Sequence, residues 1–233
     1  MHRGTSIKSG RVSRGNPASY RVFFDFDNTI TSFDVLDAII EKFSRNQQWR
    51  SVECSWQRGD IGSRECLDAQ IRELRVRKHT LIRYLAGIRI DPAFGSILSL
   101  LSLHRITPII VSDSFSFIIR TILAANGIGL LPVYANRLRF SGTRLIPIFA
   151  HTDKRCAALC AHCKKKTLLD RIKSDTITIY IGDGLSDVCA SLEATLVFAK
   201  ANLARQLDRH RKPYIPFESL ETVRTCLREV LHE

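Results

Sequence analysis

Arg21-Val22-Phe23-Phe24-Asp25-Phe26-Asp27-Asn28-Thr29 is the stretch that decides the fold. Val22, Phe23 and Phe24 form an apolar run without alternation, which predicts a short strand buried on both faces. Asp27-Asn28-Thr29 then turns polar, as a loop does. Asp25 and Asp27 lie two positions apart, so an extended backbone points both to one side. A helix cap needs one acid and no apolar strand before it. Two acids directly behind Phe23-Phe24 need a cation or hydrogen-bond donors, because burying an unpaired carboxylate is costly.

A second pair of acids ends a second apolar strand. Ile179-Tyr180-Ile181-Gly182-Asp183-Gly184-Leu185-Ser186-Asp187 runs from a buried strand through a glycine-rich turn into a helix. Asp187 taken alone equally suits a helix cap. Further buried strands are predicted at Ile106–Ser112, Thr176–Ile181 and Leu196–Ala199. Helices are predicted at Ser116–Asn126, Thr167–Lys173, Asp187–Ala194 and Asn202–Arg209. Strands that alternate with helices predict an α/β fold, a parallel sheet covered on both faces. Residues 132–149 hold short apolar pieces around Gly142 and Pro147 and predict a hairpin-like excursion. Ligands of such sheets bind outside the carboxyl ends of the strands, where the strand order switches. Asp25, Asp27, Asp183 and Asp187 converging there make an oxygen-rich set suited to Mg²⁺.

Between residues 33 and 104 the periodicity changes. Val35, Leu36, Ile39, Ile40 and Phe43 recur at helical spacing, as do Leu67, Ile71 and Leu74. Leu81, Ile82 and Leu85 follow, and Ile97–Leu103 precedes the next strand. Ordinary connections in these sheets take about 2–6 residues, so this block predicts a helical cap inserted after the first strand. The expected organisation is a basic, disordered tail over 1–19, an α/β core formed by 20–32 and 105–233, and a helical cap over 33–104. Trp49 and Trp56 fall in the cap, as packing residues or as a wall of a substrate pocket.

The 233 residues carry 35 lysines and arginines against 23 acids, a net charge of +12. That balance draws anions, either phosphorylated metabolites or nucleic acid. The basic residues are scattered and come with no aromatic-rich RNA-binding signature, so nucleic acid is not the expected partner. The alternative is a basic nucleic-acid-binding protein that keeps the same fold without turnover. No apolar run approaches the roughly 20 residues that span a bilayer, so no membrane partner is expected. Arg3, Lys8, Arg11 and Arg14, with serines, glycines and no acid, mark residues 1–19 as a tail whose composition also suits an organelle-targeting peptide. Cys54, Cys66, Cys156, Cys160, Cys163, Cys189 and Cys226 fit reduced thiols and a cytoplasmic setting. His151, Cys156, Cys160, His162 and Cys163 are spaced irregularly for zinc, which leaves reduced thiols as the first expectation and a structural zinc as the second.

These stretches resemble, in order, the four motifs of haloacid dehalogenase (HAD) phosphatases. Asp25-Phe26-Asp27-Asn28-Thr29 is similar to the first, Asp-x-Asp-x-Thr, and Ile109-Ile110-Val111-Ser112 to the second, a hydrophobic strand ending in Ser or Thr. Lys164, ahead of a helix, resembles the third, and Gly182-Asp183-Gly184-Leu185-Ser186-Asp187 the fourth. The likeness covers residues 21–200, and the inserted block stands where the phosphoserine-phosphatase-like subclass has its cap. It implies a HAD-like Rossmannoid core, Mg²⁺ as cofactor, and hydrolysis of a small phosphorylated metabolite through an aspartyl-phosphate. On that likeness Asp25 is the nucleophile and a metal ligand. Asp27 is the general acid and base, with its backbone carbonyl on the metal, and Asp183 and Asp187 complete the metal shell. Ser112, Asp113 and Lys164 would hold the phosphoryl group. Lys165 is the alternative to Lys164, since it fits the helical phase of Leu168, Leu169 and Ile172 about as well.

Three substrate classes stay open within the subclass. Asp-x-Asp-x-Thr-Ile-Thr, the cysteine-rich run before Lys164, and Lys212-Pro213-Tyr214-Ile215-Pro216-Phe217-Glu218 resemble phosphatases of 2-hydroxy-3-keto-5-methylthiopentenyl phosphate. Ser112-Asp113-Ser114, His151-Thr152 and the same cysteines resemble phosphoethanolamine/phosphocholine phosphatases. Ala135-Asn136-Arg137-Leu138 resembles phosphoserine phosphatases, which however have Ser-Gly-Gly in place of Ser112-Asp113-Ser114 and usually Glu in place of Asp34. Asp34 and Asp113 add acids beside the phosphate, where they repel an anionic leaving group and pair with an ammonium. Asp113 equally suits a cap for the helix that follows it.

Overall fold

Val22, Phe23 and Phe24 are fully buried at the centre of a seven-stranded sheet in the computed structural model, which describes residues 19–153 and 160–231. The strands are β1 (Ser19–Phe24), β2 (Ile109–Phe115), β3 (Val133–Ser141), β4 (Arg144–Ile148), β5 (Thr176–Gly182), β6 (Leu196–Ala199) and β7 (Ile215–Pro216). Their order is β4-β3-β2-β1-β5-β6-β7. Every neighbouring pair is parallel except the β3–β4 hairpin, which is the excursion expected over 132–149. β1 pairs with β2 on one side and β5 on the other, Phe24 lying opposite Ile110 and Ile181. The chain therefore winds outward in both directions from β1, and the carboxyl end of β1 is the switch point.

Alternation along the strands divides the core in two. Val22, Phe24, Ile110 and Ile181 share one apolar cluster with α5 (Ala93–Leu103), α6 (Ser116–Ala125) and α10 (Leu220–Val230). Phe23, Val111, Tyr180 and Val197 share the other with α7 (Lys164–Leu169), α8 (Val188–Glu193) and α9 (Ala201–Arg209). The fold is the expected α/β sheet with helices on both faces. The amphipathic α10 lies outside the expected elements, although Leu220, Val223 and Leu227 recur on its buried face. The strand expected at Ile106–Ser112 runs instead from Ile109 to Phe115, and the helix expected from Thr167 starts at Lys164.

Between β1 and β2 lie α1 (Val35–Phe43), α2 (Trp49–Gln57), α3 (Ser63–Glu73), α4 (Lys78–Ala86) and α5. Of these, α1, α2 and α3 reach the carboxyl end of β1, where they line a cavity with Asp25; α3 also touches β4, α4 touches α6 and α5 packs on α10. The two crossings into this block run together: Thr31 bridges Ile90, and Asp91 N–H donates to the Ile30 carbonyl at 2.8 Å. The Asp91 carboxylate accepts from Ala93 N–H at 2.8 Å and from Leu220 N–H at 3.2 Å, tying the starts of α5 and α10 together. No helix among the described residues is long and apolar enough to cross a membrane. The basic tail up to residue 18 and Cys156 lie outside the described residues.

Because Asp91 serves two backbone donors at once, Asp91→Ala should lower unfolding stability by about 1–3 kcal/mol. Urea unfolding that leaves the midpoint unchanged would show that these bonds contribute nothing net.

Candidate active site

The tight turn after β1 sets the first group of side chains. Asp25 N–H donates to the Ile181 carbonyl at 2.9 Å, which locks the end of β1 to β5. The Phe26 carbonyl then accepts from the N–H groups of Thr29, Ile30 and Thr31, and Asn28 takes φ 53°. Asparagine is among the few side chains that enter this left-handed region readily. The turn aims Thr29 at β5, where its hydroxyl donates to Asp183 Oδ1 at 3.2 Å. The first and fourth motifs are thus joined side chain to side chain.

Lys164 brings in the third. Its ammonium is 1% exposed and donates to Asp25 Oδ1 at 2.6 Å and to Asp187 Oδ1 at 2.7 Å. Lys165 points away and pairs on the surface with Glu193, so the alternative lysine is not part of the cluster. His162 helps seat the α7 terminus: its Nε2 is 2.7 Å from the Thr167 hydroxyl, and the His151 carbonyl accepts from Cys163 N–H at 2.7 Å. Burial, followed by the charges of His151 and Lys164, drives the His162 imidazole down to about 3, so it stands neutral.

Asp187 is fully buried and accepts four hydrogen bonds. Oδ1 takes Lys164 and the Tyr180 hydroxyl at 2.7 Å. Oδ2 takes Asp183 N–H at 3.1 Å and Gly184 N–H at 2.9 Å. These use the roughly four lone-pair positions of a carboxylate. Its close approach needs Gly182, where a Cβ would fall 2.6 Å from Asp187 Oδ2. Gly182 was legible as part of a turn, but its role as the space for Asp187 was not. Tyr180, read as one residue of a buried strand, carries the hydroxyl that completes this network.

Oxygens of Asp25, Asp183 and Asp187 lie within 4.8 Å of one another, the one such cluster of potential metal ligands among the described residues. Burial, then Asp187, push the Asp25 carboxyl well above its ordinary range, against the pull of Lys164. Burial, then Asp187, raise Asp183 to about 6. Burial works to lower the Lys164 ammonium, and Asp187 with Asp25 overcome it and hold it well above its ordinary value. Three crowded carboxylates share one lysine, and their donor set is oxygen only. That chemistry fits Mg²⁺. Asp25 and Asp183 are its freer ligands, since Asp187 is already saturated. The histidine and cysteine residues around His151 and His162 bring no comparable set together among the described residues.

Asp25, Asp27, Asp34, Ser112, Asp113, Lys164 and Asp183 line one cavity of about 430 Å³ under the helical block, with Asp187 behind it. Asp27 Oδ1 accepts from Val35 N–H at 2.9 Å, and burial, then Asp34, push its carboxyl well above the usual range. Ser112 Oγ accepts from Ser114 N–H at 3.0 Å. The two further acids exchange the roles open to them. Asp34 caps α1, accepting from Asp37 N–H at 2.9 Å. Asp113 caps nothing: it lies within β2, α6 begins after Phe115 with no side-chain cap, and Asp113 Oδ1 is buried without a partner. The capping role is corrected because β2 runs three residues further than expected. Trp56 lines the cavity, while Trp49 packs on the apolar core.

Residues 20–205 match the family described as "Putative Phosphatase". The chain belongs to this family. It is a HAD-type phosphatase, a phosphoric monoester hydrolase. The 2-hydroxy-3-keto-5-methylthiopentenyl-1-phosphate phosphatases of Bacillus mycoides (strain KBAB4) and Bacillus cereus (strain AH820) are each 26% identical over 219 residues, covering 91% of this phosphatase and 98% of theirs. A phosphoserine phosphatase solved as a phospho-aspartyl intermediate analogue superposes with a TM-score of 0.68 at 18% identity, over 88% of this chain and 97% of that one. A substrate-bound phosphoserine phosphatase gives 0.67 at 18% identity, over 93% and 98%. At that identity the solved structures bear on the fold alone, which is the HAD fold of the phosphoserine phosphatases.

Gly182→Ala should push the Asp187 carboxylate from the phosphatase's Lys164 and Asp183. A displacement near 1 Å in such a site costs on the order of 100-fold, so kcat/KM should fall by about that factor and Mg²⁺ binding, followed by calorimetry on the same variant, should weaken. Wild-type values for both would show that the contact is not required.

Proposed function

We propose that this phosphatase transfers the phosphoryl group of a small metabolite to Asp25 and then to water, with Asp27 moving the protons. The observation that carries this is the Lys164 ammonium held between Asp25 and Asp187 beside Asp183, in the lining of a cavity large enough for a metabolite. An Asp25 carboxylate oxygen forms the bond to phosphorus as the bond to the ester oxygen breaks. Splitting hydrolysis into two displacements divides one difficult step. Burial, then Asp34, favour the protonated form of Asp27, and that form gives its proton to the leaving oxygen. It then takes a proton from the water that releases phosphate from Asp25, a general acid–base cycle. Lys164 neutralises the attacking carboxylate and orients it. Ser112, whose Oγ accepts from Ser114, keeps its O–H to donate to a phosphoryl oxygen. Asp25, Asp183 and the Asp27 carbonyl would hold Mg²⁺, with Asp187 reached through water, and the ion would supply positive charge to the phosphoryl group.

The helices α1–α4 act as the cap that covers the site. Asp113, half-buried and without a hydrogen-bond partner at Oδ1, favours a leaving group that brings a cation or donor over one that brings a carboxylate. This supports phosphoethanolamine or phosphocholine ahead of phosphoserine. Methylthiopentenyl phosphate is the second candidate, on the likeness to the Bacillus enzymes that carry that name.

Asp25→Asn should lose at least ~1000-fold in turnover of 4-nitrophenyl phosphate, because the covalent path disappears. Residual steady-state activity above ~1% of wild type excludes Asp25 as nucleophile. Exhaustive chelation should likewise abolish phosphate release and added Mg²⁺ restore it; undiminished activity after chelation excludes the metal.

A further inference from the structure

The cavity extends beyond the phosphoryl site to a wall that the motifs do not describe. Its acids there are Asp34, Asp37 and Glu53, and Lys164, already engaged by Asp25 and Asp187, is the one basic residue in its lining among the described residues. Asp34 is committed to the α1 cap, and Asp37 stands exposed at the rim. Glu53 is different. Its Oε1 accepts from Gln57 Nε2 at 3.2 Å and its Oε2 from Gln70 Nε2 at 3.1 Å, Gln70 being 2% exposed. The buried Cys66 thiol lies 3.7 Å from the same Oε2. These neutral donors fix the carboxylate's direction without neutralising it, and no lysine, arginine or histidine pairs with it among the described residues. Trp56 lies three positions on, on the same face of α2, and lines the same cavity. An oriented carboxylate beside an indole face is what an alkylammonium group needs, since the charge pairs with one and the methylene or methyl shell stacks on the other. Independently, Ser114 lines this cavity, 1% exposed, and its buried Oγ has no partner among the described residues. A buried hydroxyl left unsatisfied marks a place that a ligand's polar group completes.

We propose that Glu53 and Trp56 of α2 form the leaving-group subsite and select phosphomonoesters whose leaving group ends in an ammonium. Both are specificity residues on the cap, remote from the reacting atoms. The proposal rests on the phosphatase reading of the Asp25 site and adds the residues that read the other end of the substrate.

The test compares choline phosphate with 3,3-dimethylbutyl phosphate, which has the same shape and no charge, on the full chain with Mg²⁺. Wild type should favour choline phosphate in kcat/KM. Glu53→Gln keeps the side-chain volume and should lower that preference by about 10–100-fold, the low end of what a close charge pair contributes. Trp56→Leu should lower it further and Trp56→Phe restore most of it. A wild-type ratio near one, a ratio in Glu53→Gln within about twofold of wild type, or an equal loss on both esters overturns the proposal. Calorimetric binding of the same two esters to Asp25→Asn, with and without Glu53→Gln, judges the subsite without turnover. If phosphate release fails while Glu53 still discriminates in binding, the reading of Asp25 falls and the subsite stands.

Discussion

The Lys164 ammonium, 1% exposed and within 2.7 Å of both Asp25 and Asp187, is the interaction around which the carboxyl end of the sheet is arranged. Removing one partner of a buried charge pair strands the other, at about 3–5 kcal/mol. Each neighbouring loop therefore carries a device that keeps the cluster closed. β1 is locked to β5 through Asp25 N–H, Thr29 reaches across to Asp183, and Tyr180 with two backbone N–H groups saturates Asp187. The α7 terminus is seated by His162 and by the carbonyl of His151.

That arrangement divides the carboxylates by function. Asp187 has no acceptor capacity to spare, so it shapes the site, whereas Asp25 and Asp183 retain lone pairs that face the cavity. The same logic separates Asp34 from Asp113: a backbone N–H already occupies the first, and nothing occupies Oδ1 of the second. Counting acids does not find the ligand-facing ones. Counting their unused acceptor positions does.

The sheet, the helices over both its faces and the gathering of carboxylates at the strand ends were legible because each depends on local pattern. An unbroken apolar run followed by two acids can hardly be placed elsewhere than at a strand end. The choice between Lys164 and Lys165 was not legible, since both begin a helix and a one-residue shift in its start exchanges them. The same one-element ambiguity concealed the roles of Asp34 and Asp113, which turned on where α1 begins and where β2 ends. Gly182, Thr29 and Tyr180 owe their importance to neighbours met only in the folded chain. Glu53 escaped notice for another reason: α2 buries none of its residues fully, so no apolar stripe indicates which face looks inward.

The register that opposes Phe24 to Ile181 has a consequence during synthesis. β1 is the central strand, yet it leaves the ribosome first and its β5 partner follows about 150 residues later. At roughly 5–20 residues per second that delay is on the order of 8–30 seconds. For that interval the β5 edge of β1 stays open, although β2 is made earlier and can pair with its other edge. The helices inserted after β1 can form from local contacts in the meantime, so the inserted block has the means to shelter the strand it interrupts until the centre of the sheet closes.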